Sequence, residues 1–429
     1  MRFIFTLLHR WVGLAIAGFL FVSGITGAVI SWDHELDELL NPHLLEAKRE
    51  GEPRSSLELA REVEAGNPQA FVTYLTLAPE AGHSLAFSVE GKVDPATGKR
   101  YPLNYNQVFL DPASGDELGR REWGAMWPVT SENVISFLYV LHYSLHIPEM
   151  WGIDEWGMWF MGAIAILWSL DCFVGFYLTL PPRRAPDPTR PRAVSRQLAR
   201  GWRERWKPAW KIKTGGSDYR INFDMHRASG LWTWGLLFII AFTGFSLNLY
   251  RELFYPLMST ISQVTPGPFD LRKPTDHHNP IAPKVTFTQI IDIAKGEAQR
   301  QGIEEPAGSI AYATTYGIYT VSFFKPGDDH GAAGVGPREL FFDGVDGRFL
   351  GEYRPWTGTA ADIFVQAQFP LHSGRILGLP GRILISIMGI VVAALSVTGV
   401  VIWLRKRRSR LLRERQSDIR GFPRPVPGE

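Results

Sequence analysis

The sequence predicts an α-helical membrane protein: four transmembrane helices set out as two tandem repeats, with two small α+β domains outside the membrane. Three observations predict it. Four apolar segments each reach the roughly 20 residues needed to cross a bilayer. Lys and Arg collect in alternate connections. The second half of the chain repeats residue patterns of the first.

The spans divide the chain. Residues 1–32 hold the first span, whose apolar core is Trp11–Trp32, and 33–155 the first outer domain. The second span is 156–180, and 181–229 is a basic inner loop. The third span is 230–250, read as a single unbroken helix, and 251–381 is the second outer domain. The fourth span is 382–404, and 405–429 is a basic tail. The first apolar run is longer than the core of a cleaved signal, and its pattern recurs inside the chain; it reads as a retained anchor. The 15 Trp and 26 Phe suit aromatic belts at membrane interfaces. The sole cysteine, Cys172, excludes an internal disulfide, a Cys-ligated iron–sulfur cluster, a Cys-rich zinc site and a C-x-x-C-H haem attachment.

Charge sets the orientation. The connection from Pro181 to Arg227 carries 13 Lys or Arg, the tail opens Arg405-Lys406-Arg407-Arg408, and Arg2 and Arg10 flank the first span. All three regions fall on one side, which positive-inside bias makes cytoplasmic, with both termini there. Topology accounts for the basic loop, so no nucleic-acid partner is expected.

The repeat is explicit. Leu8-His9-Arg10-Trp11-Val12-Gly13 matches Met225-His226-Arg227-Ala228-Ser229-Gly230, and Thr26-Gly27 matches Thr243-Gly244. Val140-Leu141-His142 and Pro370-Leu371-His372 precede the second and fourth spans, and Gly175 and Gly399 correspond late in them. In the outer domains, Phe109-Leu110-Asp111 with Gly115 matches Phe341-Phe342-Asp343 with Gly347. Each outer domain opens on an amphipathic helix, 56–65 or 286–302, followed by strands near 71–77, 84–89, 310–313 and 318–324. The Asp111–Gly115 and Asp343–Gly347 stretches are hairpin turns.

Histidines carry the functional argument. His9 and His226 mark the inner ends of spans one and three; His142, His146 and His372 mark the outer ends of spans two and four. An electron-transfer haem takes two axial ligands from opposite faces of the porphyrin, and helices of a bundle can supply them. One His per half at each membrane face is the symmetry of two bis-His haem b sites. His9 and Gly13, like His226 and Gly230, share a helix face, and a glycine there would let the macrocycle approach. Arg10 and Arg227 are candidates to hold propionates. Either His142 or His146 serves as the outer ligand of the first half, His142 matching His372 more closely.

The bland readings run alongside. Polar residues commonly decorate span ends, and Arg snorkels to headgroups. Small residues such as Gly27 and Gly244 allow close helix packing. Asp171, the one acid within a span, is either a proton relay or hydrogen-bond partner of a ligand, or the partner of an inner-rim Arg. Trp123, Trp127 and Trp356 face substrate or belong to the aromatic belt.

With its His-Arg-x-x-Gly first span, its Leu-His entry to the next and its intervening small domains, the chain resembles the PepSY-associated transmembrane family from His9 to about Arg408. That family includes iron-regulated inner-membrane proteins of Gram-negative bacteria and a siderophore reductase branch that binds two haems. The resemblance implies PepSY-like outer domains, His9, His226, His142 and His372 as haem-iron ligands, and a ferric siderophore as periplasmic substrate. The extra His146 departs from the pattern. The function expected is a di-haem inner-membrane reductase drawing electrons from a cytoplasmic or quinone donor. No G-x-G-x-x-G stands in the inner loop to suggest a bound dinucleotide. The competing expectations are a non-enzymatic binding or assembly protein, and an accessory subunit of a transporter. Four spans and unbroken helices argue against the latter.

Overall fold

The computed structural model describes residues 1–182 and 201–419. Much of the basic inner loop (residues 183–200) and the end of the tail lie outside the described residues. The longer elements of the first half are α1 (Arg2–Ile30), α2 (Asp33–Leu40), α3 (Ser56–Gly66), β1 (Ala70–Thr76), β2 (Leu85–Gly91), β3 (Gln107–Leu110), β4 (Glu117–Arg121), α4 (Val134–Ser144) and α5 (Trp156–Thr179). The second half continues with α6 (Asp218–Trp232), α7 (Trp234–Asn248), α8 (Phe287–Arg300), β5 (Ala307–Ala313), β6 (Ile318–Phe323), β7 (Arg338–Asp343) and β8 (Phe349–Tyr353). It closes with α9 (Ala360–Gln366), α10 (Gln368–Ser373) and α11 (Leu379–Ile419). Two compact units result. One is built from Met1–Ala28, Leu141–Asn248 and the chain from Leu384; the other from Val29–Val140 and Leu249–Ile383.

The first unit is helical. Among the described residues α1, α5 and α11 are long and apolar enough to cross a membrane, and a fourth span is present if α6 and α7 are taken as one bent helix. Uninterrupted runs of apolar residues make these helices, since only a helix satisfies its own backbone in lipid. Arg2 at the start of α1 donates to the carbonyls of Leu178 (2.5 Å) and Leu180 (3.0 Å), capping the end of α5 with positive charge. Helices α1 and α11 meet at Gly24 and Gly389: a Cβ on Gly24 would lie 2.6 Å from the Gly389 carbonyl oxygen, and one on Gly389 would lie 2.3 Å from that of Gly24. Only glycine permits this approach. Cys172 and Leu237 pack with Met388 and Val392, while Ile16 packs with Met161 and Ile164.

The third span departs from expectation. It begins at Asp218, well before Gly230, and α6 and α7 meet at 70°. No proline is involved. Ser229 donates to the Met225 carbonyl and Thr233 to that of Ser229, at 2.5 and 2.8 Å. Such back-bonding by successive hydroxyls is known to bend helices. A broken helix is therefore present where none was expected.

The second unit is a sheet backed by two helices. The two outer segments do not form separate domains. Their strands join in one eight-stranded antiparallel sheet, β4-β3-β2-β1-β5-β6-β7-β8. The seam is β1 against β5, with Leu75 opposite Ile310. Equivalent strands pairing antiparallel is what a two-fold axis between the halves demands, as in an isologous interface. Leu59 and Val63 of α3 and Ile290 and Ala294 of α8 cover one sheet face, burying Leu75, Phe87, Ile310, Val321 and Phe342 in a single core. Each of the larger side chains contributes about 1.5–3 kcal/mol on burial. Val72 and Leu75, three residues apart, both point inward because β1 bulges between Val72 and Tyr74. The hairpin turns fall as expected. The Asp111 carboxylate accepts from the Ala113 and Ser114 amides before Gly115 (φ 78°), and Asp343 from those of Val345 and Asp346 before Gly347 (φ 74°).

Candidate functional site

In the helical unit, His9 on α1 and His226 on α6 face each other, their ring centres 6.2 Å apart and the planes tilted by 53°. Each ring is held by a neighbouring span. The His9 Nδ1 donates to both carboxylate oxygens of Asp171 on α5, at 3.0 and 2.9 Å, and its Cε1 lies 3.4 Å from where a Cβ on Gly175 would stand. Asp171 thus pairs with the histidine and not with an inner-rim arginine. The His226 Nδ1 lies 3.0 Å from Thr398 Oγ1 on α11, and its Cε1 lies 3.3 Å from a Cβ built on Gly399. Asn222, one turn before His226, donates to the Thr398 carbonyl at 3.1 Å and holds α6 in place.

These bonds bear on the tautomer. The Thr398 hydroxyl has one proton and gives it to the Ala394 carbonyl at 2.7 Å. With its proton there it accepts from His226, whose Nδ1 then carries the hydrogen and whose Nε2 carries the lone pair. Asp171 imposes the same state on His9. Among the described residues neither Nε2 takes a hydrogen bond. A ring fixed at Nδ1 by a hydrogen-bond acceptor is the standard dress of a metal-ligating histidine.

His142, on α4, is held in the same manner. Its Nδ1 lies 3.1 Å from Thr26 Oγ1, which gives its own proton to the Val22 carbonyl at 2.8 Å. A Cβ on Gly27 would stand 2.9 Å from the His142 Cε1. Gly27 was expected to serve close helix packing; it instead leaves room for this imidazole, and Gly24 makes the backbone contact. Helix α4 ends at Ser144, and Leu145 and His146 both turn left-handed, with φ of 56° and 52°. The helical face shared by His142 and His146 is thereby broken. His372 lies near the end of α10, before the left-handed Gly374 (φ 76°), and belongs to the sheet unit.

The haem fit can be tested on the inner pair. Two imidazoles bound on opposite sides of one metal, each at about 2 Å, bring their ring centres to a separation of roughly 6 Å once each ring's half-width is added. The observed spacing agrees. Added Cβ atoms on Gly13 and Gly230 would meet ordinary contacts only, with Asp171 Oδ2 at 4.0 Å and Leu395 Cδ2 at 3.7 Å. Among the described residues no cluster of three or more His, Cys, Asp or Glu could hold a bare metal ion. Two imidazoles suffice where a macrocycle supplies the other ligands.

The arginines divide. Arg227 donates through Nη2 to the Pro208 carbonyl and to the carboxylate of fully buried Asp224, both at 2.7 Å. Its buried Nε is unpartnered among the described residues; the buried Asp224 was not anticipated. Arg10 lies over the Trp11 ring at 5.4 Å, with its buried Nε unpartnered among the described residues. Of the tryptophans, Trp127 is exposed, Trp123 lies against Tyr139, and Trp356 donates to the Ala332 carbonyl.

Fold and site together define a multi-pass membrane protein with duplicated halves, whose helices present paired imidazoles and whose loops build one sheet. The family described as PepSY-associated TM region matches residues 6–406, nearly the whole chain, and the protein belongs to that family. No curated protein matches the chain.

Proposed function

We propose that the protein is a di-haem inner-membrane reductase that passes electrons to a ferric siderophore on the periplasmic side. The facing pair His9–His226, each ring held at Nδ1 by a neighbouring span, is the observation that carries this reading. His9 and His226 would hold one haem b toward the cytoplasm, and His142 and His372 are the candidate ligands of a second toward the periplasm. Haem, when bound, supplies one-electron carriage. The chain's own residues hold the imidazoles in register: Asp171 and Thr398 at the inner site, Thr26 at the outer. Both termini would be cytoplasmic and the sheet unit periplasmic, in keeping with the segregated Lys and Arg. The substrate class rests on the family resemblance. A ferric chelate gaining one electron becomes ferrous, and the softer ion is held less tightly by hard oxygen donors. The donor would be a quinone or a cytoplasmic reductant.

The bent α6–α7 pair favours a second reading, an accessory subunit of a transporter, since interrupted helices are common in that class. The spectrum of detergent-purified protein separates the two. A Soret band is expected, and His226→Ala and His372→Ala should each remove about one haem's absorbance. A colourless preparation from haem-replete cells defeats the reductase.

A further inference from the structure

The duplicated halves differ at two positions beside the inner site: Asp171 stands where the second half has Leu395, and Val174 where it has Thr398. Where Gly13 faces the Asp171 carboxylate, Gly230 faces Leu395. His9 accordingly donates to a carboxylate and His226 to a neutral hydroxyl. His142, in the first half at the other end of the span, also has a neutral hydroxyl partner, Thr26. Asp171 is nearly sheltered from solvent, its side chain 11 % exposed. It is also the sole formal charge in the apolar stretch of its span.

From this asymmetry we infer that Asp171 is a positioning residue that holds the His9–His226 site at a lower reduction potential than the His142 site, and so directs electrons outward. The inference rests on the di-haem reading. Two effects act in the same direction. A carboxylate accepting the Nδ1 hydrogen makes the opposite nitrogen a stronger donor to a metal. Its negative charge, a ring's width from that metal, also favours the more positive, ferric ion, and weak screening in the span preserves the attraction. Thr26, an uncharged partner, supplies the first effect more weakly and the second not at all. A lower potential at the inner face than at the outer makes transfer toward the periplasmic side downhill.

The test is a spectroscopic potential titration of the full-length, haem-loaded protein. Wild type should show two waves. Asp171→Asn keeps the shape and removes the charge; it should move the lower wave upward by at least tenfold in the reduction equilibrium, about 59 mV for one electron, and leave the upper wave in place. Leu395→Asp adds a carboxylate on the His226 side and should move the lower wave further down, in a protein that keeps its native Asp171. Asp171→Asn with both haems bound and unmoved waves, or with only the upper wave moved, overturns the inference while sparing the di-haem reading. If Asp171→Asn loses haem, an unmoved lower wave in Leu395→Asp overturns it instead. Wild type without a Soret band overturns both.

Discussion

At the scale of single residues, the glycines against imidazole rings set narrow tolerances. A Cβ at position 27 would stand 2.9 Å from the His142 ring, closer than real Cβ contacts, whereas at 175 and 399 the distances are 3.4 and 3.3 Å. Gly27→Ala must therefore push His142 off its place, while Gly175→Ala displaces His9 by only tenths of an ångström. The haem-to-protein ratio should fall by about half in Gly27→Ala, one of two sites being lost, and stay near wild type in Gly175→Ala. Equal ratios in the two variants would contradict the geometry. In the sheet unit, half-buried Glu339 has its carboxyl pushed from 4.5 up to about 7 by loss of solvent, which the Ser322 hydroxyl only partly offsets. The folded chain then keeps a proton that the unfolded chain has already released. The stability tied to it is full below about 4.5, declines as pH rises through about 7, and is gone above. Glu339→Gln should raise the thermal midpoint at about pH 8 and leave it unchanged near pH 4.

At the scale of elements, the α1–α11 crossing depends on backbone meeting backbone. A side chain at Gly389 would meet a carbonyl oxygen at 2.3 Å, which no rotamer change relieves. Gly389→Val should cost at least the roughly 1–3 kcal/mol of an overpacked core, read as a lowered unfolding midpoint in detergent; a neutral result would place the crossing elsewhere. Helix α8 is started by a reciprocal cap, in which Thr286 accepts from the Gln289 amide and Gln289 accepts from that of Thr286. The bend between α6 and α7 shows why some elements escape sequence reading. Trp232-Thr233-Trp234 contains no proline or glycine, and the bend falls at Thr233, whose backbone leaves helical geometry (φ −103°, ψ 5°) beside the back-bonded Ser229 and Thr233 hydroxyls. Hydroxyls return such bonds in the straight helices too, as Thr26 and Ser169 do, so composition does not announce the bend.

At the scale of the molecule, duplication is expressed differently in the two units. In the sheet unit the halves fuse through β1 and β5 over a shared core. Half of it alone would expose the bare edge of β1 and one side of that core. The sheet unit should therefore unfold as one cooperative calorimetric transition, with Ile310→Pro, at the seam, weakening both halves together. Two separated transitions would restore the picture of two domains. In the helical unit each half sends one histidine to the inner site and a different neighbour to hold it.

Much of this was written in the chain order. Apolar runs declare spans, because lipid admits little else, and alternation with Asp-to-Gly turns declares strands. The duplication of His9 and His226 pointed to a shared site because a repeat implies equivalent positions. What periodicity reports is which face of an element is apolar or polar; it does not report what lies opposite. The partnership of Asp171 with His9, the glycines beneath the rings, and the β1–β5 seam all join residues far apart in sequence. Such pairings arise only when packing brings elements into contact, so the tertiary structure alone decided them.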